Sequence, residues 1–435
     1  SWRLLSPQQQ DALKRLSVFR GGFRREAAAR VAQVSIPVLA ALLDKSLLRR
    51  LPSGRYERHA LLHQFAAEKL AENPGEQQRC EMQHARYYLA LAEEAERELR
   101  TAAQARWLAR LAEESSNLRA ALGRTLEGKL EGSLDLSLRL ASALGLYWYI
   151  GAAFEEGRAW FARVLAQPRL PRTQLHARAL HGAGRLERSA GDFARAQARL
   201  GEALERFEDL DDAAGVADCL NELGILAAVQ ADYDAALERF ERGCAAADEL
   251  DDDARRVILG GNLGLAHAIT GNLGEAERRG EQCLALSRAA DNAHGVVHAL
   301  TNLALIAVQG HEHERALRFY RESFDAARQL DNAHLMAEAL LGRGVVRLLD
   351  GEDVEARVFI GKSLELYLAQ HDQLGVLDGL LETANLAAAC RQTQLAARLW
   401  GATEAARARL DFPLRPFARK RYEAALEQLR AETPA

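Results

Sequence analysis

Six alanines, Ala196, Ala236, Ala276, Ala316, Ala356 and Ala396, stand 40 residues apart without drift. A fixed period of that length means one supersecondary unit repeated. It constrains the fold more than any other feature of this 435-residue chain. Each alanine sits in the same frame. Twelve residues before it is a small residue: Gly184, Gly224, Gly264, Ala304, Gly344 or Ala384. Sixteen before it is Leu180, Leu220, Gly260, Leu300, Leu340 or Leu380. Five before it is Gly191, Ala231, Gly271, His311, Gly351 or Arg391, and four after it is Leu200, Phe240, Gly280, Tyr320, Ile360 or Trp400. The spacing predicts a first helix of about 17 residues closed by a glycine turn, because glycine accepts the left-handed conformation that ends a helix. A second helix runs back, the small residues letting the two backbones approach. Asp211-Asp212, Asp251-Asp252, Asp291-Asn292 and Asp331-Asn332 then open each next unit, since Asp and Asn cap helix starts well. One hairpin cannot bury its apolar face alone, so the hairpins must stack.

Composition points the same way. Ala, Leu, Arg and Glu dominate, and none of the 9 prolines lies between Pro171 and Pro413, which favours helix throughout. No run of 18 apolar residues exists, so no transmembrane helix is expected. The start, Ser1-Trp2-Arg3-Leu4-Leu5-Ser6-Pro7, has neither an initiator methionine nor a signal peptide's apolar core. The expectation is a fragment of a longer cytoplasmic protein. The five cysteines are scattered with no CxxC, which reads as reduced thiols rather than a disulfide or zinc framework.

The small residue, the turn glycine, an aromatic after it (Phe193, Tyr233) and the alanine together resemble the tetratricopeptide repeat. The resemblance covers residues 174–410 in six units. The period of 40 departs from the usual 34, the proline between units is missing, and Asp353 stands where an aromatic is expected. Leu140, Leu144, Tyr147, Gly151, Glu156 and Trp160 fall on the same grid, marking 134–173 as an N-terminal capping hairpin. Residues 411–435 are expected to form a C-terminal capping helix. The expected fold is all-α: a right-handed superhelix of tetratricopeptide-like hairpins preceded by a small winged-helix domain.

That domain is read over residues 1–73. Ser6-Pro7-Gln8-Gln9 is a capping box with proline at the first helical position. A helix runs to near Phe19, a second spans 24–34 after Gly21-Gly22, and Pro37 opens a third ending near Ser46. Two short strands over 47–58 flank Pro52-Ser53-Gly54, which has turn chemistry. A helical linker over 74–133 follows. Residues 1–70 carry 13 Lys/Arg against 5 Asp/Glu, a basic head hidden inside a total of −4. Such a head contacts nucleic acid or docks on acidic protein. The third helix offers only Asp44, Lys45 and Ser46 as polar residues. A recognition helix needs a polar face for base edges, so specific DNA binding is not expected.

The stretches "LSVFRGGFRREAAARVA", "LLDKSLLRR" and "RYERHALLHQFAAEKL" resemble the winged-helix domain of STAND proteins, the signal-transducing ATPases of bacterial regulators and plant disease-resistance proteins. "LAEESSNLRAAL" at 111–122 and "YWYIGAAFEEGRAWF" at 147–161 resemble that family's linker and first sensor repeat. The resemblance implies a nucleotide-binding domain ahead of the winged helix in the full-length protein, with ATP or ADP and Mg²⁺ as its cofactors. The family's Met-His-Asp motif maps onto Arg58-His59-Ala60. By that resemblance His59 touches the ADP phosphate and holds the inactive state. Ala60 replaces the acid and Arg58 the apolar residue. The residues alone also fit a histidine capping the last helix of the domain or filling the joint between hairpin and helix.

Catalytic patterns are absent. Gly123 to Lys129 fits GxxxxGK, but Leu130 stands where Ser or Thr must hold Mg²⁺, and no strand precedes it. The pairs His294/His298, His59/His63 and His311/His313 lack further ligands at useful spacing, so no metal is expected. There is no GxSxG elbow, and the chain is not expected to be an enzyme. The groove lined by first helices is more informative. One row reads Arg185, Ile225, Leu265, Leu305, Val345, Asn385; its neighbours read Ser189, Val229, Ile269, Gln309, Leu349, Ala389 and His181, Asn221, Gly261, Thr301, Leu341, Leu381. An apolar middle with polar ends marks a binding site, unless curvature buries those residues against neighbouring units. The expected ligand site is His181, Arg185, Asn221, Ile225, Leu265, Leu305 and Val345. The expected function is the sensor and regulatory portion of a bacterial STAND-type regulator. An inducer (protein, peptide or small molecule) in the groove would signal through the winged helix to the nucleotide-binding domain. The alternative is a winged-helix DNA-binding transcription regulator with a repeat domain for dimerisation or protein binding.

Overall fold

The computed structural model describes residues 2–99, 101, 103–127, 130, 132–151, 153–168, 170–370 and 372–409, with Leu414, Tyr422, Glu423 and Glu427 beyond. The capping helix expected over 411–435 lies, apart from those four residues, outside the described residues. Among the described residues there are twenty α-helices and one two-stranded hairpin, in two compact units, Ser1–Ala183 and Gly184–Ala435. No single described helix is long and apolar enough to cross a membrane.

In the first unit, α1 (Pro7–Leu16) starts at the capping box: Gln9 N donates to Ser6 Oγ at 3.3 Å and Ser6 N to Gln9 Oε1 at 3.2 Å. It stops short of Phe19. After it come α2 (Arg25–Ala32) and α3 (Ile36–Asp44), then the antiparallel strands β1 (Arg49–Arg50) and β2 (Tyr56–Glu57), with Arg50 opposite Tyr56. The three helices and the hairpin read from the sequence are therefore present. Helix α3 buries Val38, Leu39 and Leu42, so its apolar face is core. Next are α4 (Ala60–Ala71), α5 (Pro74–Glu98), α6 (Gln104–Leu126), α7 (Ser133–Ile150) and α8 (Phe154–Leu165). Residues 74–133 are not a spacer. Tyr88, Leu91, Ala95, Leu111, Leu118 and Leu122 fall at helical spacing and are buried, so α5 and α6 pack as core helices, α5 against α2 and α7. The division between the units falls inside α9 (Gln174–Ser189), the first helix of the first repeat.

The second unit keeps the period closely. Eleven helices of 17 residues alternate: α10 (Phe193–Asp209), α11 (Ala213–Val229), α12 (Tyr233–Glu249), α13 (Asp253–Ile269), α14 (Leu273–Ala289), α15 (Ala293–Gln309), α16 (His313–Gln329), α17 (Ala333–Leu349), α18 (Asp353–Ala369), α19 (Gln373–Ala389) and α20 (Thr393–Arg409). All six intra-hairpin turns are left-handed, including the non-glycines Ala231, His311 and Arg391 at φ 64°, 58° and 56°. Between hairpins, the paired acidic residues divide the labour. Asp211, Asp251, Asp291 and Asp331 take the left-handed position, while Asp212, Asp252, Asn292 and Asn332 are the N-caps.

The small residues act only in part as expected. A Cβ at Gly184, Gly224 or Gly344 would strike the side chain of Leu200, Phe240 or Ile360 at 2.7, 2.5 and 2.6 Å. These glycines therefore make room for the bulky residue of the second helix. The expected backbone approach occurs at Gly264, where a Cβ would lie 3.2 Å from the Ala276 carbonyl oxygen and the bulky residue is itself a glycine, Gly280, and also at Gly344, where a Cβ would lie 3.2 Å from the Ile360 backbone nitrogen.

Candidate functional site

The first unit holds a cavity of about 650 Å³ beside the hairpin. Arg20, Gly21, Gly22, Arg49, Arg58, His59 and His63 line it, with Glu57 as the one carboxylate. His59 is the N-cap of α4 and its Nδ1 accepts from Leu61 N at 3.4 Å. The ring thus caps the helix and also lines the cavity. Arg58 donates from Nη2 to the Phe19 carbonyl at 3.0 Å and stacks over the Phe23 ring at 5.6 Å. Burial, with Arg20 nearby, pushes its pKa down to about 9, so it stays charged at neutral pH. Among the described residues its Nε and Nη1 have no hydrogen-bond partner. Arg20 Nη1 lies 2.7 Å from His63 Nε2 and 3.3 Å from Nδ1, and with Nε2–H donating to the Ser17 carbonyl at 3.0 Å, Nδ1 is the nitrogen left to accept from Arg20. Burial first, then Arg58 and Arg20, lowers the His63 pKa and keeps the ring neutral to accept. Arg49 Nε donates to Glu57 at 2.9 Å. Three arginines against one carboxylate make the cavity electropositive and suited to an anion.

The wall of the cavity is fixed from beneath. Gly21 and Gly22 turn at φ 75° and 118°, conformations open to glycine. Asn117 of α6 grips this loop from both sides: Arg20 N donates to its Oδ1 at 2.7 Å and its Nδ2 donates to the Gly22 carbonyl at 2.8 Å. Asn117 Nδ2 also donates to Glu114 Oε2 at 2.9 Å, as does Tyr88 OH at 2.9 Å. Arg55, 6% exposed, pairs with Glu114, 2% exposed, through Nη1–Oε1, and its Nη2 donates to the Gly22 carbonyl at 3.2 Å. Burial first, and then the Glu114 carboxylate, raises the Tyr88 pKa and holds the hydroxyl as a donor. Sequence reading missed this network, whose members are far apart in the chain and follow no period.

Gly128 and Lys129 of the GxxxxGK stretch lie outside the described residues; Gly123 belongs to α6, so a helix leads into it. Among the described residues no group of three or more His, Cys, Asp or Glu could hold a metal ion.

In the second unit the expected lining row runs along the first helices. Arg185, Ile225, Leu265 and Leu305 are half-buried, with Ile225 and Leu265 resting on core clusters. Val345 is closed off at 8% exposure and belongs with the core. His181 is half-buried and falls in the first unit. In the third row Asn221 is half-buried, but Thr301 and Leu381 are buried, Thr301 Oγ1 lying 3.0 Å from Ser323 Oγ. Asn385 donates to Glu382 at 3.0 Å and accepts from Trp400 Nε1 at 3.1 Å, so it serves its own repeat. Three accessible residues were missed. Ile258 is 47% exposed. Asn262 and Asn302 sit one position past the assumed row and are half-buried. Asparagine at the same place in consecutive repeats was the available signal.

The fold is that of a tetratricopeptide-repeat array. The tetratricopeptide repeat family profile matches residues 175–249 and 255–329. A putative HTH-type transcriptional regulator of Mycobacterium tuberculosis is 34% identical over 197 residues, 41% of this chain and 21% of that protein. The chain thus spans about a fifth of the length of the curated relatives it matches. Among solved structures, a Rap protein complexed with Competence and Sporulation Factor superposes with a TM-score of 0.53 at 12% identity, over 79% of this chain and 99% of that one. The apo quorum sensor NprR of B. thuringiensis gives 0.53 at 15% identity, over 84% and 97%. These likenesses concern the fold.

Proposed function

We propose that the chain is a non-enzymatic sensor module of a regulator, and that its inducer is a peptide lying along the first-helix groove. The observation that carries this reading is the row Ile225, Leu265 and Leu305: half-exposed apolar side chains at one position of three successive first helices. A scaffold that binds nothing gains by placing polar residues there, and exposed apolar rows of this kind mark interaction sites. A row crossing three helices suits an elongated ligand better than a compact one. NprR, which shares the fold, has been solved with its cognate peptide; for this chain the groove is the argument.

The head, with its three helices and hairpin, is read as a winged helix that relays occupancy to a nucleotide-binding domain of the same protein. The arginine-lined cavity would take the ADP phosphate beside His59, and ATP, ADP and Mg²⁺ would belong to that other domain. The packed face of α3 argues against sequence-specific DNA reading by the head.

The test is selection of a displayed random dodecapeptide library on the full chain and, in parallel, on Leu265→Asp, with helicity and melting checked for both. Peptides kept by the native chain and lost by the variant support the reading. Identical winners from both, with both folded, place binding elsewhere. If Leu265→Asp fails to fold, Leu305→Asp and Ile225→Ser take its place.

A further inference from the structure

We infer that the groove is built for a neutral peptide segment in the polyproline II conformation, with an apolar side chain at every third residue. This rests on the peptide reading above and adds the chemistry and shape of the ligand.

The first argument is spacing. Helices α11, α13 and α15 pack directly on one another in sequence. Packed helices lie about 8–10 Å apart. Ile225, Leu265 and Leu305 hold the same position on these three helices, so a chain laid across them meets an apolar contact at that interval. A polyproline II chain rises about 3.1 Å per residue with three residues per turn, so one face returns about every 9.3 Å. A β-strand returns its face about every 6.6 Å and falls out of step by the second helix. An α-helix comes near on every second turn, about 10.8 Å.

The second argument separates the helix from the polyproline II chain. A helix bonds its own amides; a polyproline II chain bonds none internally. Main-chain amides taken from water need partners. Asn221, Asn262 and Asn302 stand on the same three helices, beside the apolar row. Asn262 Nδ2 donates to Asn221 Oδ1 at 2.8 Å. Among the described residues the Asn221 Nδ2, the Asn262 Oδ1 and the whole Asn302 carboxamide make no hydrogen bond. Asn302 lies over Gly261, where a Cβ would come within 2.7 Å of its Nδ2. Glycine there makes room for the Asn302 carboxamide. A carboxamide offers one donor face and one acceptor face, the complement of a peptide amide. The asparagines thus suit a ligand whose amides are free, and the apolar row suits one of period three. Ile225, Leu265, Leu305 and the three asparagines are uncharged, and Glu222, which holds on α11 the position that Asn262 and Asn302 hold on theirs, is 7% exposed and pairs with Arg188 at 2.9 Å, so the matching segment is neutral, about seven residues long, and of the form apolar-x-x-apolar-x-x-apolar.

The test uses two labelled heptapeptides of one composition, titrated by fluorescence anisotropy into the full chain. In the first, Leu-Pro-Gln-Leu-Pro-Gln-Leu, leucine recurs every third residue. In the second, Leu-Gln-Leu-Pro-Leu-Gln-Pro, it recurs every second. The first is expected to bind at least tenfold more tightly. Asn262→Ala and Asn302→Ala should each weaken it about three- to tenfold, as the loss of one hydrogen bond does, with the melting point unmoved. Equal binding of both peptides, lost together in Leu265→Asp, overturns the period of three and leaves the groove reading intact. Groove-dependent library winners with apolar residues at period two, or at helical spacing, do the same. Absence of any groove-dependent winner removes the underlying reading instead.

Discussion

Glu114 is a residue whose removal the structure makes costly. Its carboxylate accepts from Arg55, from Tyr88 OH at 2.9 Å and from Asn117 Nδ2 at 2.9 Å, all inside the first unit. Glu114→Ala leaves a guanidinium that is 6% exposed facing only the Gly22 carbonyl. Breaking a buried pair from one side costs about 3–5 kcal/mol. Two orphaned donors add about 1–3 kcal/mol each, though the three losses overlap. A total near 5 kcal/mol approaches the whole stability of a domain, about 5–15 kcal/mol. Glu114→Ala should therefore open the hairpin, α5 and α6 under mild conditions. The double variant Arg55→Met with Glu114→Leu should recover most of the loss, because it removes the buried charge and leaves only the Tyr88 and Asn117 donors unpaired. The assay is urea unfolding with hydrogen exchange read on segments 49–57, 80–98 and 104–126, and on 253–309 as an internal control. A Glu114→Ala loss below about 1 kcal/mol in those first segments would refute the reasoning, since a charge buried without compensation costs more than that. So would a double variant less stable than the single one.

Two further outcomes follow from named geometry. Ala231, His311 and Arg391 hold left-handed turns that glycine holds elsewhere, so Ala231→Gly should stabilise by about 0.5–1 kcal/mol after glycine's own entropy cost, while Gly191→Ala destabilises; urea midpoints decide, and a lower midpoint for Ala231→Gly contradicts the strain. His84 is fully buried, with its pKa held well below the usual value, mostly by burial and then by Arg124. The unfolded chain takes up this proton below about pH 6.5 and the folded chain does not, so stability falls as pH drops, by about 1.4 kcal/mol at pH 5.5. His84→Gln should flatten the fall in melting temperature between pH 7.5 and 5.5; an unchanged slope assigns the acid sensitivity to other groups.

The array was legible because its signal is covalent spacing. Every hairpin turn sits where the alanine grid puts it, and the helices have the expected length. Side-chain roles were less so. Consecutive acidic residues look alike in sequence, yet one of each pair takes a left-handed turn and the next caps a helix, because only the first precedes the change of direction. The groove row was placed one residue away from Asn262 and Asn302, since the face a helix presents depends on how neighbours roll against it. In the head, the element order could be read from turn and cap residues. The Arg55–Glu114 pair could not: its partners are 59 residues apart, and only packing brings them together.

The period that specifies the fold also specifies what the groove can hold. Equal hairpins give equal spacing between first helices, and that spacing selects a ligand whose own period matches. A perfect repeat would let such a ligand bind in several registers, one helix apart, because each step would meet the same contacts. The departures from the repeat remove this freedom. At the position of Asn262 and Asn302, the next two first helices carry Gly342 and Glu382, and Glu382 already accepts from Asn385 at 3.0 Å. Val345, at this position on α17, is 8% exposed, so the accessible apolar row ends there. A ligand shifted toward α17 would lose an apolar contact and leave an amide without its carboxamide partner, a cost of about 1–3 kcal/mol for the unmet amide alone. Register is thus set on α11, α13 and α15 by residues that break the pattern, while the residues that keep it hold the helices at the spacing the ligand needs.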